Sequence, residues 1–386
     1  MKGRFAGLAW VGLLVLLVPG CFGRVSEDTD SLGAGGNGGA AGGGFGGTGV
    51  GGEGWTDTGP TPTGTPLTVT VGQETGCALR ADGRAACWTL EAGQYTAAED
   101  VPGLPSGLHS VAVGDAHGCV LTGHGSVFCW GSASHGQNGV GKSSAKGLEL
   151  ESLHGLVNQL SAGAEHNCVL DREGAVWCWG AGGHGQLGNA AFKDSAAPVR
   201  VQGLSGAAQQ VVAGADWSCA LLESGVVECW GSAAYGNLGQ SVKGDSAKPV
   251  MIRIEDQVTS LSEASGDLAC VILADSRVRC WGRYSNAAMP VVYGDVGPIV
   301  GFKEPDRVAW IATGGVQACG LLTSGHVTCW TRDDGPRWRP APEDATDVSA
   351  GGAFSCARNP DGVWCWTLVV DEQDLIQESP ATRIAL

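Results

Sequence analysis

Short apolar runs bounded by glycine and proline recur along this chain, and the fourth unit shows the pattern most plainly. Gln210-Val211-Val212-Ala213 ends at Gly214, Cys219-Ala220-Leu221 follows, then Val226-Val227-Glu228-Cys229-Trp230, then Pro249-Val250-Met251-Ile252. β-branched residues are frequent and no apolar stripe at helical spacing competes, so each run is expected as a strand. Four short strands per unit suit one blade of a β-propeller, an all-β fold.

The unit is marked by a cysteine, nine intervening residues, a second cysteine and, directly after it, a tryptophan. The pairs are Cys77/Cys87, Cys119/Cys129, Cys168/Cys178, Cys219/Cys229, Cys270/Cys280, Cys319/Cys329 and, one residue shorter, Cys356/Cys365. The tryptophans are Trp88, Trp130, Trp179, Trp230, Trp281, Trp330 and Trp366. Seven copies at intervals of 37 to 51 residues define a repeat architecture. Their large side chains are expected to pack between blades rather than to stack on sugars.

Folding residues 168–178 back on themselves brings the two sulfurs face to face. Val169 then meets Trp177, Asp171 meets Ala175, and Arg172-Glu173-Gly174 is the loop. The last residue of such a three-residue loop takes a positive φ, which glycine supplies at least cost. Gly83, Gly125, Gly225 and Gly325 hold the same place, and Ser276 is the exception. In the last copy Asn359-Pro360-Asp361-Gly362 is a turn of its own. Directly opposed residues of an antiparallel pair lie within bridging range, so each cysteine is paired with its partner in the same repeat. Each closed loop is worth about 3 kcal/mol in the chain-entropy account. A zinc site would need closer ligand spacing, and a helical twin-cysteine protein would not place glycine at the centre of the pair.

The pattern A-G-x-x-H-x-C-x-L-x-x-x-G-x-V-x-C-W-G followed by G-Q-L-G resembles the repeat of the regulator of chromosome condensation family. The resemblance implies a seven-bladed propeller. The glycine five residues before the first cysteine is Gly72, Gly114, Gly163, Gly214, Gly314 and Gly351, with Ser265 standing there in the fifth repeat. The G-Q-L-G turn is complete at residues 185–188 and altered at 136–139 and 236–239; the first, fifth, sixth and seventh repeats lack it.

Residues 1–20 read as a lipoprotein signal peptide, with Lys2 and Arg4 before an apolar stretch too short for a comfortable span. Cys21 resembles the lipidated cysteine of bacterial lipoproteins, which accounts for the one thiol left over from fourteen paired ones. Residues 21–66, rich in glycine, proline and threonine, are expected as a disordered tether. Residues 67–386 are the propeller. Disulfides persist in oxidising compartments, so the expected location is a bacterial cell envelope, lipid-anchored and facing the periplasm or the exterior. The first repeat opens without a proline-led strand, so the tail at 380–386 is expected to supply it and close the ring, two ends sharing one blade.

The net charge of −16, with 34 acidic against 20 basic side chains in residues 67–386, disfavours nucleic acid as a partner. Residues 136–143 satisfy the phosphate-loop pattern, yet no strand-to-helix context surrounds them. His117, His166, His135 and His184 are read as structural, no acid/base or metal constellation appears, and neither cofactor nor metal is expected. The residue two before the first cysteine varies: Thr75, His117, His166, Trp217, Leu268, Gln317 and Phe354. These fall at one level of a ring and are either a candidate binding face or local packing. The expected function is a non-catalytic, surface-anchored, monomeric scaffold that binds a protein or extracellular polymer. The alternatives are an inhibitor of an extracellular or periplasmic enzyme, as in secreted propellers that resemble this family and cap β-lactamases, and a hydrolase of glycans.

Overall fold

The computed structural model describes residues 66–239, 242–282, 297–298, 307–315, 317–330, 337–338, 341–352, 354–370 and 376–386. The proposed signal peptide, Cys21 and the tether as far as residue 65 lie outside the described residues, and Pro66, placed in the tether above, opens the first strand. The described strands form seven sheets, one per repeat, arranged as a β-propeller and antiparallel save for one short parallel pair at blade six. Blade three is representative: Val157–Ala162 lines the channel, His166–Asp171 and Val176–Gly180 form the cysteine hairpin, and Ser195–Arg200 is outermost.

The hairpin register is as the turn chemistry requires. Cys168 faces Cys178, Val169 faces Trp177, and Asp171 N donates to Ala175 O at 2.9 Å. Gly174 has φ 80° and Ser276, in the fifth copy, φ 66°. All seven disulfides are intra-blade, with Cα atoms 4.0 to 4.1 Å apart: Cys77–Cys87, Cys119–Cys129, Cys168–Cys178, Cys219–Cys229, Cys270–Cys280, Cys319–Cys329 and Cys356–Cys365.

The outermost strand is less regular than four like strands per repeat would require, and three of the bridges show where. Cys87 faces Glu99, Cys280 faces Gly297 and Cys329 faces Arg337, each on an outer strand of only two residues among those described. In blades two, three and four that strand has six or seven residues. There the G-Q-L-G turn and its variants return the chain to the inner end of the hairpin, so that Ser144, Ser195 and Ser246 pair with Gly131, Gly180 and Gly231. Blades one, five and six lack the turn; in blade one the chain returns through a tight hairpin that pairs Gln94 and Tyr95 with Glu91 and Leu90 before Glu99–Asp100 reaches Cys87, and in blades five and six the described outer residues pair beside the second cysteine. Cys87 is left half-buried and Cys280 8% exposed, whereas Cys329 is enclosed. The seven staples are therefore alike in connectivity and unlike in cover.

Adjacent residues of a strand point to opposite faces, so Cys178 and Trp179 serve different seams. The Cys168–Cys178 bridge packs with Trp230 of blade four, while Trp179 packs with Cys119 and Cys129 of blade two. The same contact, a disulfide of one blade against the tryptophan of the next, recurs at every seam. Burying sulfur and indole in this way removes most of the apolar face of each sheet from water, the main driving force for stacking the blades.

The ring closes differently from the expectation. Thr382–Ile384 pairs with Val363, Trp364 and Cys365 as the outer strand of blade seven, its own blade, and blade one takes its outer strand from Glu99–Asp100. No blade is shared by the two ends. Closure instead uses the ordinary seam: Trp88 packs with Cys356 and Cys365, and Ile384 joins that cluster. Tyr95 meets Phe354 edge to face at 5.3 Å between ring centroids. Because the outer strand can be supplied locally by residues 99–100, the tail is free to complete the blade it follows.

Around the channel the glycines recognised in the sequence stitch blade to blade. Ala164 N donates to Gly214 O, Ala215 N to Gly266 O, Gly315 N to Gly351 O and Gly352 N to Gly72 O. A Cβ on Gly163 would lie 2.2 Å from Gly214 O, so side chains are excluded there by close backbone approach. In the fifth repeat Gly266, not Ser265, takes this place.

Candidate functional site at the channel mouth

The fourteen repeat cysteines are all spent on bridges, including the less covered Cys87 and Cys280 and the enclosed Cys329, so none of them offers a thiol to a site. The seven variable positions two residues before the first cysteine do fall at one level of the ring, but six are seam residues. His117, His166, Trp217, Leu268, Gln317 and Phe354 are buried, and Thr75 is half-buried. A binding face made of these side chains is therefore not available to a partner. Their variation follows the residue they meet on the next blade. His117 Nε2 donates to Asn167 Oδ1 at 2.9 Å, and Asn167 Nδ2 donates to Gln137 O at 2.8 Å. Ser218 Oγ donates to Gln186 O at 3.0 Å, so His166 Nε2, 2.9 Å away, must donate to Ser218. Gln317 Nε2 donates to Ser355 Oγ. Where the neighbour is Ala269 and has no acceptor, Trp217 Nε1 donates to Gly266 O at 2.9 Å instead.

Both buried imidazoles are held neutral. Burial lowers His117 to about 4, with the bond to Asn167 opposing, and burial with the proximity of His117 lowers His166 to about 3. Their Nδ1 atoms meet no donor.

The G-Q-L-G turns have a defined task. Trp179 Nε1 donates to Gln137 O, Trp230 Nε1 to Gln186 O and Trp281 Nε1 to Asn237 O, at 2.8 to 3.0 Å. Trp88 and Trp366 follow blades without the turn, and their Nε1 atoms have no acceptor. The phosphate-loop look-alike is part of the same device. Asn138 Oδ1 accepts from Val140 N and Gly141 N, so two amides a phosphate would need are already engaged.

One residue away from the positions singled out in the sequence, acidic side chains converge on the channel mouth. Glu74, Glu165 and Asp216 stand three residues before a first cysteine, in the loops between the first and second strands of blades one, three and four, and Asp115 occupies the corresponding loop of blade two. Partial enclosure, then the charges of Glu165, Asp216 and Glu74, raise the Asp115 carboxyl to about 6 although it is open to solvent. Three carboxylates from three other blades act on one group only because the loops point toward a common axis. Histidines of the turns sit outside this rim. His135 Nδ1 donates to Asp194 Oδ2 at 2.7 Å with Glu165 3.5 Å from its Nε2, and His184 Nδ1 donates to Asp245 Oδ2 at 2.7 Å. These bonds first, with nearby carboxylates adding, raise both imidazoles above their ordinary range against slight desolvation. Among the described residues no group of three or more His, Cys, Asp or Glu side chains is placed to hold a metal ion.

The fold and seams define a disulfide-stapled propeller of repeated blades. The signature of the Regulator of chromosome condensation (RCC1) repeat matches residues 173–221, and a second signature of that repeat matches 109–137 and 157–186. Residues 109–137 and 157–221 of the propeller thus carry RCC1 repeats. The Ultraviolet-B receptor UVR8 of Arabidopsis thaliana is 32% identical over 154 residues, covering 37% of this chain and 34% of the receptor, about a third of that relative. Human WBSCR16 shares the fold at a TM-score of 0.64 with 21% identity, over 75% of this chain and 85% of that one. Yeast RCC1 (Prp20), in its structure bound to Kap60, does so at 0.63 with 19% identity, over 75% and 78%.

Proposed function

We propose that this protein is a non-catalytic binding scaffold held at a bacterial cell envelope through lipid on Cys21, with the channel mouth as its docking surface for a protein carrying basic side chains. The observation that carries the reading is the convergence of Glu74, Asp115, Glu165 and Asp216 on one mouth, where partial enclosure first and then the three neighbouring carboxylates push Asp115 up. A lysine- or arginine-bearing segment would relieve that repulsion. The buried histidines are committed to seam hydrogen bonds, which leaves neither imidazole facing a partner or substrate. Relatives support binding as a role: yeast Prp20 has been crystallised with Kap60, and its binding to Gsp1p and histones has been described.

Affinity capture with the full chain tests this directly. A partner retained by the wild type should be lost from the Glu74→Gln, Asp115→Asn, Glu165→Gln triple variant and should elute with moderate salt. Equal retention by both proteins would overturn the acidic mouth as the docking surface. Incorporation of a palmitate analogue that persists in Cys21→Ser would overturn the anchor. An envelope enzyme that is captured stoichiometrically and silenced would favour the inhibitor reading.

A further inference from the structure

Glu263 departs from the pattern of the other blades. In blade four Val211 faces Ala220 and Gly214 follows in the glycine ring; in blade five Leu261 faces Val271, yet the chain runs on to Gly266 before it joins that ring. The two additional residues leave their own sheet. Glu263 and Ala264 pair in parallel with Ala312 and Thr313 of blade six, and Thr313 Oγ1 donates to Glu263 O at 3.1 Å.

The Glu263 side chain reaches past blade six to the seam where the two ends of the ring meet. Its Oε1 accepts from Thr70 Oγ1 of blade one at 3.1 Å and from Ser349 Oγ of blade seven at 3.2 Å. Ser265 Oγ makes a second crossing, donating to Ala350 O of blade seven at 2.8 Å. Ser349 Oγ also accepts from Val71 N at 3.0 Å, and Asp347 Oδ2 accepts from Val69 N at 3.0 Å. One hydroxyl and one carboxylate of blade seven thus hold the inner strand of blade one, and Glu263 is seated on that hydroxyl.

The charged groups facing this site are few. Asp347 comes from Asp347–Ala350, Arg358 stands behind it on Phe354–Asn359 and offsets its charge, and neither Pro66–Val71 nor Val308–Thr313 carries an ionisable side chain. Blades surround Glu263 on every side although it keeps some exposure to the channel. Enclosure first, then the charge of Asp347, push its carboxyl up to about 8 against the two hydroxyl bonds.

We infer that Glu263 is a proton-operated lock on the seam between blades seven and one: the neutral carboxyl, accepting from Thr70 and Ser349, sits at low cost inside the closed seam, and the ionised one, its proton passed to channel water, favours an opened seam in which it is hydrated and clear of Asp347. When the seam opens, the carboxyl returns to an ordinary value near 4.5. Between that value and the raised one the closed ring holds one proton more than the open ring, so closure weakens as pH rises, by about tenfold in the opening equilibrium per pH unit. Below this window both states are protonated and the dependence vanishes.

Hydrogen exchange followed by mass spectrometry on the full chain between pH 5.5 and 8.5 reads the lock. After correction for intrinsic exchange, protection of Pro66–Val71 and Asp347–Ala350 should fall about tenfold per pH unit up to about 8 and level off above it, while Val157–Ala162 across the ring stays level. Glu263→Gln cannot ionise. Its seam should be flat with pH and at least about tenfold more protected than wild type at pH 8.5. Asp347→Asn should end the fall at lower pH, and it carries the test should Glu263→Gln fail to fold. A Glu263→Gln seam that loosens like wild type, or an Asp347→Asn fall that does not move, would overturn the lock.

Discussion

Trp179 Nε1 lies 3.0 Å from the carbonyl oxygen of Gln137 on the preceding blade, and the same oxygen accepts from Asn167 Nδ2 at 2.8 Å. The glycine-bracketed turn and the tryptophan after the second cysteine are thus two halves of one latch. Trp366 packs against blade six in the same way but has no acceptor. Trp179→Phe and Trp366→Phe remove similar apolar area, and only the first removes a hydrogen bond. Trp179→Phe should cost about 1 kcal/mol more in denaturant unfolding. Equal losses would show that the carbonyl adds nothing beyond contact.

Ser276 occupies the loop position that glycine holds in other hairpins and carries the left-handed φ of 66°. A Cβ in that region costs about 1 kcal/mol or more. Ser276→Gly should therefore stabilise the ring by about 1 kcal/mol despite the greater freedom of glycine in the unfolded chain. Unchanged or lower stability would place the strain elsewhere.

Removal of residues 380–386 should weaken the whole ring, for a reason other than shared-blade closure. The segment supplies the outer strand of blade seven and buries Ile384 at the closing seam, where only 5% of it is exposed. Loss of that side chain alone is worth about 2 kcal/mol. Thermal unfolding of the truncated chain should drop accordingly, and a transition unchanged from wild type would contradict the assignment.

His117 and His166 make the ring acid-sensitive. Both are neutral when folded, at about 4 and about 3, and take up protons near 6.5 once exposed. The unfolded chain binds more protons between those values, so the stability these groups contribute is intact above pH 6.5 and is lost as pH falls toward 3. Gln317 performs the same seam role without titrating. His166→Gln should therefore flatten the decline between pH 6 and 4, measured as midpoint against pH. A decline as steep as that of wild type would assign it to other groups.

Much of the blade was legible because hairpin register is local. Nine residues intervene between Cys168 and Cys178, Gly174 marks the turn, and these alone bring the sulfurs together. The outer strand was less legible: how far it runs beside Cys87, Cys280 or Cys329 depends on a returning turn that those repeats lack. The channel glycines were also visible, although counting back from the cysteine misplaced the fifth, where two inserted residues shift Gly266 into the ring. The candidate face failed for a related reason. Position two before the cysteine points into the seam and the residue before it points to the mouth, and strand alternation decides between them only once the blades are stacked.

What the sequence determined by itself was the contents of each blade: strands, turns, bridges and the repeat that multiplies them, all set by residues close along the chain. The tertiary structure alone decided what meets across blades. Cysteine and tryptophan, neighbours in sequence, serve opposite seams; acids from four loops share one mouth; and Glu263 reaches two blades distant from its own. Those relationships depend on how the ring curves, and curvature is a property of packed sheets rather than of any one segment.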